Sequence, residues 1–473
     1  MKSVLVNSQR VITSRRWDYD YNQEAYLAFE ARLRTMTTSS LEEICRHPIT
    51  KGETPLWKGD KYVGESEGVL FIRSENLRHY GLDLSAKTFI PSTVHQRMKR
   101  SQIQARDVLL AIVGATIGQV AVMPDNEGEA NCNQAVAIIR LREDINPYYV
   151  RSVLHSRLGQ TQIHRFSGGS ARPNLDLWEV RLLRIPVPPR DAQDRIAEVM
   201  EAAYATRREK LAEAEKVSTE LKSQVNEIIF GKSRFALQGT TRTYIVSITK
   251  MKAARRFDVG FFRPEYIQLD EMLNSLQSVE RLGDVAEVQY GFMPMEDYAT
   301  QENGVPLIRV SNIVSDGSID MSAVKYVRAT SGRLHEKLVR EKDILMVQCG
   351  NTTGKVAIVS KGHEGYAYAS FCFRIRPRTD KLLPEYLLAV LQSDIGYMQV
   401  WRSITFATVR PNTTKPFTEA VRVPIPPIPT QRQILQLIEL KRTEAKRLRA
   451  EAEHVVAEAK ARVERMLLGE EGA

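Results

Sequence analysis

The chain has 473 residues, 43% of them hydrophobic and 26% charged, with a formal net charge of +10. That length allows two or three domains, no apolar run is long enough to span a bilayer, and the opening MKSVLVNSQRVITSRR lacks the apolar stretch and cleavage site of a signal peptide. Cys45, Cys132, Cys349 and Cys372 are scattered without a CxxC pair, so a disulfide framework and a zinc site are unsupported and reduced thiols in a cytoplasm are expected.

In chain order, the sequence is one unit written twice. Arg15–Arg16 faces Arg255–Arg256, Gly52-Glu-Thr-Pro55 faces Gly291-Phe-Met-Pro294, and Phe71-Ile-Arg-Ser-Glu-Asn76 faces Leu307-Ile-Arg-Val-Ser-Asn312. Asp107 faces Asp343, Gly114–Gly118 faces Gly350–Gly354, Arg172-Pro-Asn174 faces Arg410-Pro-Asn412, and Ile185-Pro-Val-Pro-Pro faces Val423-Pro-Ile-Pro-Pro. The offset stays between 236 and 240 residues throughout, which is the mark of tandem duplication.

Each copy opens with a short strand and a helical stretch near Tyr21–Leu33 or Pro264–Leu276. Short strands are expected at Val69–Arg73, Val108–Val113 and Gln119–Met123, and again at Leu307–Val310, Ile344–Gln348 and Val356–Val359. A helix with proline in its first turn follows, Pro147–Leu158 or Pro384–Ile395. A polar loop, a last strand and a proline-rich hinge then lead into a long helix. The first runs from about Asp191, read as its N-cap, to Lys232, with Ile196, Met200, Ala203, Leu211, Ala214, Leu221, Val225 and Ile228 on one face. The second starts at Thr430 and aligns Ile434, Ile438, Ala445, Leu448, Ala452, Val455, Ala459, Val463 and Met466. Two narrow apolar stripes of this length are expected to pair as a coiled coil. The fold class is therefore α+β, a duplicated mixed domain with a long helix after each copy. The expected boundaries are 1–190 and 233–429 for the domains, 191–232 and 430–473 for the helices.

Gly350-Asn-Thr-Thr-Gly354-Lys355 is not a nucleotide-binding loop. Three residues, not four, separate its glycines, Val356 stands where Ser or Thr is needed, and the first copy has Gln119 in place of the lysine. It reads as a hairpin tip whose glycines take positive φ, and Thr116, Thr352, Thr353 and Lys355 are candidates to approach a phosphate there. Arg73 with Asn76 and Arg309 with Asn312 are candidate readers of base edges, since Arg pairs with guanine and Asn with adenine. The equal alternative is an Arg packed on the sheet and an Asn capping a turn. Arg172 and Asn174, with Arg410 and Asn412, form a similar pair, in which the Asn can cap the next segment while the Arg reaches a phosphate. No HExxH, GxGxxG or Asn/Asp-Pro-Pro-aromatic motif is present, so no catalytic or metal-binding residue is expected.

Gly52-Glu-Thr-Pro55, Phe71-Ile-Arg73, Asp107-Val-Leu with Gly114–Gly118, Asn133-Gln134 and Ile185-Pro-Val-Pro-Pro followed by Gln193–Ile196 resemble the specificity subunit of type I restriction–modification enzymes. The second copy repeats these landmarks but departs at Gly291-Phe-Met-Pro294 and Ser370-Phe371. The resemblance implies a target-recognition domain in each copy, each reading half of a split site on double-stranded DNA, and helices that pair antiparallel. It also implies that two methyltransferase (modification) subunits dock on the chain, and that restriction (translocase and nuclease) subunits can join. S-adenosylmethionine, ATP and Mg²⁺ are then expected on those partners and no cofactor in this chain, which is not an enzyme by itself. A self-contained DNA methyltransferase and an adaptor that holds proteins with its duplicated heads are the alternatives.

Overall fold

The computed structural model describes residues 23–55, 59–167, 174–231, 245–254, 256–293, 298–328, 334–404 and 411–472. The chain divides into two compact units, Met1–Ala212 with Arg447–Ala473, and Glu213–Lys446. Each unit thus contains one copy of the duplicated domain together with parts of both long helices.

In the first unit, strands Thr50–Lys51, Val136–Ile139, Val108–Ala111 and Val120–Val122 pair in that order as an antiparallel sheet. A second sheet places Phe89–Pro91, Gly68–Ile72, Ala130–Cys132 and Gln102–Ile103 side by side, with Gly68–Ile72 parallel to Ala130–Cys132. Val108-Leu-Leu-Ala111 is buried on both faces, which explains a strand without polar alternation. Val108 and Leu110 pack toward the helices, and Leu109 and Ala111 toward the second sheet. The order of layers is helices, sheet, sheet.

The second unit repeats the plan. Ala286–Tyr290, Cys372–Pro377, Ile344–Val347 and Val356–Ile358 form the antiparallel sheet. Lys325–Arg328, Gly304–Ile308 and Ala367–Tyr368 form the other. The strand Gln102–Ile103 survives in this copy only as a bridge between Leu338 and Ala367. Small two-stranded ladders, Thr38–Ser40 with Arg184–Pro186 and Val279–Arg281 with Arg422–Pro424, tie the start of each domain to its hinge.

Buried polar groups fix the same joints twice. Asp107 and Asp343, 2% and 1% exposed, each bind an arginine guanidinium through two hydrogen bonds, Arg140 at 2.8 and 2.7 Å and Arg376 at 2.7 and 2.6 Å. Tyr149 and Tyr386 donate their hydroxyls to the hinge carbonyls of Pro186 and Pro424. Gln193 and Gln431, fully buried at the base of the long helices, bridge backbone groups of the hinge and of the loop before the proline-started helix.

Three details differ from the sequence reading. The proline-started helices end at His155 and Gln392, and a second helix follows each, Arg157–Ser167 and Asp394–Ser403. Ser156 and Ser393 adopt extended backbone there, and Gly159 and Gly396 let the next turn lie against the backbone of Leu154 and Leu391, where a Cβ would collide. Asp191 is not the cap, because the helix Arg190–Phe230 starts one residue earlier and the Asp191 carboxylate meets Arg195 one turn further on. Among the described residues the expected opening strand of the second copy is not formed: residues 245–247 carry no regular structure and lead into helix Ile248–Ala254, while that of the first copy lies outside the described residues.

The long helices, Arg190–Phe230 and Ile428–Leu467, are in contact within each unit and run antiparallel there. In the first unit Ile196, Met200, Ala203 and Tyr204 pack with Val456, Ala459, Val463 and Met466. Arg207 bonds Glu453 at 2.9 Å and Lys210 bonds Glu451 at 2.6 Å across the seam. In the second, Leu221, Val225 and Ile229 pack with Ile434 and Ile438, and Lys441 faces Glu220 at 3.8 Å. All four cysteines are free, and burial pushes the thiols of Cys132 and Cys372 well up. No helix among the described residues is long and apolar enough to cross a membrane.

Candidate nucleic-acid interface

One end of the sheet layers gathers the loops that carry most of the candidate residues. In the first unit, hydrogen bonds link Asn133 N–H to the Ile72 carbonyl (3.0 Å), Ile112 N–H to Ala135 (2.9 Å) and Leu175 N–H to Ile112 (2.9 Å). The second unit repeats the chain of bonds, Ala369 to Ile308 (2.9 Å), Gln348 to Phe371 (2.8 Å) and Thr413 to Gln348 (3.0 Å). The hairpin tip, the Asn-Gln or Ser-Phe loop and the Pro-Asn segment therefore form one contiguous edge in each unit.

The hairpin tips are built as expected. Gly114 and Gly118 have φ of 80° and 82°, Gly350 and Gly354 of 106° and 87°, a region that only glycine adopts freely. Thr116 and Thr352 are half-buried in these tips. Thr353 is turned inward, 2% exposed, and its hydroxyl donates to the Gly350 carbonyl at 2.7 Å, so it shapes the tip and offers nothing to a ligand. Lys355 is half-exposed, and its ammonium has no ion-pair partner among the described residues. Gly52 and Gly291 lie on the carbonyls of Cys132 and Ala369, where a Cβ has no space, so these glycines allow two backbones to meet at the edge.

The asparagines divide. Asn76 and Asn312 are 5% and 3% exposed, and each accepts the N–H of its arginine, Arg73 or Arg309, at 2.9 Å. Their amide nitrogens donate to the carbonyls of Asp83 and Asp320 at 3.0 and 2.8 Å. Both ends of the amide are used, so these residues close a turn and leave no edge for a base. The neighbouring guanidiniums are also engaged, Arg73 with Glu75 at 3.0 Å and Arg309 with the Ala323 carbonyl at 2.8 Å. Asn174 is exposed beside the first hairpin, bridged to Val113 and bonded to Asp176. Asn412 is bridged to Cys349, and its buried Oδ1 has no hydrogen-bond partner among the described residues. Arg172 and Arg410 lie outside the described residues. Tyr290, Met293 and Phe371, exposed on the same edge, escaped the sequence reading because nothing local separates a surface aromatic from a core one; the mismatch of Ser370-Phe371 with Gln134-Ala135 was the available signal. Among the described residues no group of three or more His, Cys, Asp or Glu is placed to hold a metal ion.

Two copies of one α+β module, each presenting the same set of loops and each packed on a pair of long helices, are the layout of a two-headed recognition protein. The family model described as "Type I restriction modification DNA specificity domain" matches twice, over residues 34–216 and 276–445, and the chain belongs to that family. It is 28% identical over 162 residues to the EcoBI specificity subunit of Escherichia coli, a match spanning 33% of each protein, about a third of that relative's length. Against the EcoKI specificity subunit of Escherichia coli K12 it is 20% identical over 375 residues, 78% of this chain and 74% of the relative. A structure solved in a study of complex assembly and conformational transition of the type I R-M system shares the fold, with a TM-score of 0.53 and 17% identity over 92% of this chain and 95% of that one.

Proposed function

We propose that this chain reads DNA for a type I restriction–modification complex, each unit recognising one half of a bipartite duplex site. The observation that carries this reading is the loop edge built twice on one hydrogen-bonding plan. Backbone amides at a glycine hairpin tip can approach a phosphate closely, and phosphate contacts fix register while side chains read the grooves. In that assignment Thr116, Thr352 and Lys355 face phosphate, joined by Arg172 and Arg410, while Asn174 and Asn412 stand beside them. Asn76, Asn312 and Thr353 hold the loops in shape.

The paired helices set the gap between half-sites, and their faces away from the seam, mixed in Lys, Arg and Glu, dock two methyltransferase subunits. Restriction subunits can join that assembly. Methyl transfer from S-adenosylmethionine and the ATP- and Mg²⁺-dependent steps belong to those partners, and the complex works in the cytoplasm. The test is to measure duplex binding against salt and adenine methylation with and without the methyltransferase subunit. Binding should weaken steeply with salt, as released counterions require, and methylation should appear only with the partner. Methyl transfer by the purified chain alone, or binding indifferent to salt, would overturn the proposal.

A further inference from the structure

The two copies serve as controls for one another. If each unit reads a different half-site, residues that shape the loops should match between copies, and residues that read should differ at matching exposed places. The shaping residues do match: Gly52 and Gly291 at the backbone contact, Asn76 and Asn312 in the turn, the glycine pairs in the hairpin tips.

Three matching places on the edge differ. Lys51 and Tyr290 each end the outer strand just before the glycine, paired to Ala137 and near Phe373 respectively. Thr54 and Met293 each follow that glycine by two residues. Gln134-Ala135 and Ser370-Phe371 occupy the same bend, since the carbonyls of Ala135 and Phe371 accept equivalent hydrogen bonds from Ile112 and Gln348. In the first unit this surface is polar: Lys51 is exposed, and Thr54 and Gln134 hydrogen-bond to each other. In the second it is apolar and aromatic, with Tyr290 41%, Met293 56% and Phe371 49% exposed. Tyr290 is held in place, its ring centroid 4.9 Å from that of the buried Phe373 and its hydroxyl accepting the Lys415 N–H at 3.4 Å. The ammonium of Lys337 bonds the Tyr290 carbonyl at 2.9 Å and stands beside the patch, while that of Lys415 pairs with Glu419 at 3.6 Å.

We propose that Tyr290, Met293 and Phe371 in the second unit, and Lys51, Thr54 and Gln134 in the first, determine which bases each half-site contains. This rests on the DNA-reading function proposed above and names the residues that carry it. A protein partner present in two identical copies would need like surfaces on both units, whereas two different base sequences need unlike ones. The chemistry suits bases: apolar and aromatic side chains contact thymine methyl groups in the major groove, and lysine and glutamine hydrogen-bond to base edges.

The experiment assembles the full chain with its methyltransferase subunit and maps methylated sites in a randomised DNA library. Phe371→Ala and Tyr290→Ala should relax or change the bases preferred in one half-site by roughly 5- to 100-fold, the range one base contact supplies, leaving the other half-site and the gap intact. Gln134→Ala should do so in the opposite half-site. Thermal unfolding checks each variant, and Phe371→Gln replaces Phe371→Ala if that variant does not fold. Unaltered base preferences in all folded variants, or changes in both half-sites from one substitution, would overturn the inference. A wild-type complex without any sequence preference would instead overturn the functional reading beneath it.

Discussion

Gln431 sits where the second long helix leaves its domain, and its replacement tests how that joint is held. The side chain is fully buried; its Oε1 accepts the Leu383 N–H at 2.9 Å, and its Nε2 donates to the carbonyls of Lys381 at 2.7 Å and Pro426 at 2.8 Å. Gln431→Leu keeps the volume but strands three backbone groups. An unsatisfied buried group costs about 1–3 kcal/mol, and with partial relaxation the total should be about 3–5 kcal/mol. In the first unit Gln193 makes two such bonds, to Asn146 N–H and the Pro188 carbonyl, both at 2.9 Å, so Gln193→Leu should cost less, about 2–3 kcal/mol. Gln431→Glu adds a pH signature. Burial raises the folded pKa of the new carboxyl above its unfolded value of about 4.3, so the stability it supplies is present at low pH and is lost as pH rises. Urea unfolding with hydrogen exchange read separately in each unit provides the measurement. If Gln431→Leu lies within about 0.5 kcal/mol of wild type, or Gln193→Leu is clearly the costlier, counting stranded groups is the wrong account of this joint.

Four further outcomes are expected. Burial holds His155 neutral, its pKa well below the ordinary value, while its Nε2 accepts the Val120 N–H at 3.0 Å; the unfolded chain therefore binds the extra proton, and stability of the first unit, complete above about pH 6.5, should fall as pH drops by up to about 1.4 kcal/mol per unit. His155→Gln, which copies Gln392 of the second unit, should flatten that part of the stability–pH curve, and parallel curves for the two proteins would refute it. Lys355→Ala should lower the slope of log affinity against log salt by about 0.9, whereas Lys441→Ala, in the helix seam, should leave it alone when both are titrated with duplex. Gly114→Ala, where a Cβ meets open space at φ 80°, should cost about 1–2 kcal/mol of stability, but Gly291→Ala should prevent the second unit from folding natively, because the Cβ falls on the Ala369 carbonyl; circular dichroism and melting separate the two. Four residues added to each long helix at facing positions lengthen it by about 6 Å and should widen the gap between half-sites by one or two base pairs at about 3.4 Å each, read by mapping methylated sites.

What the sequence made legible was whatever has a period or a punctuation mark. The apolar stripes of the long helices, the hairpins bounded by Gly114–Gly118 and Gly350–Gly354, and the proline hinges all follow from spacing alone. The seam was read less completely: Tyr204 is buried in it, and Val456 is buried more deeply than Val455, because packing against a domain widens the stripe beyond the coiled-coil positions. The breaks at Ser156 and Ser393 were hidden since serine is tolerated inside helices, and only the close approach at Gly159 and Gly396 requires the turn. At the candidate interface, Arg-x-x-Asn carries two meanings in sequence, reader or turn closer. Burial alone selects between them, and for Asn76 and Asn312 it selects the turn.

The duplication also separates what the fold must keep from what it can vary. Asp107 with Arg140 and Asp343 with Arg376, Gln162 bonded to both backbone groups of Arg184 and Gln399 to those of Arg422, and the two hinge tyrosines do the same work in both units. Losing one member of such a pair strands the other in low dielectric, so these groups stand or fall together. Elsewhere the copies diverge, even at Arg151, a buried charge that the second unit does not keep. In the first unit Arg151 lies over the Tyr204 ring at 4.8 Å and pairs with Glu201. At the matching place in the second, Leu388 and Arg442 stand instead, and a cavity of about 250 Å³ opens between Leu221, Val225, Ala389 and Ile438. Surfaces and loops that strand no buried partner are free to differ, and the loop edge of each unit is such a surface. A protein that must present two unlike readers on one scaffold needs this division: buried pairs that hold each joint, and an outer edge that can change without disturbing them.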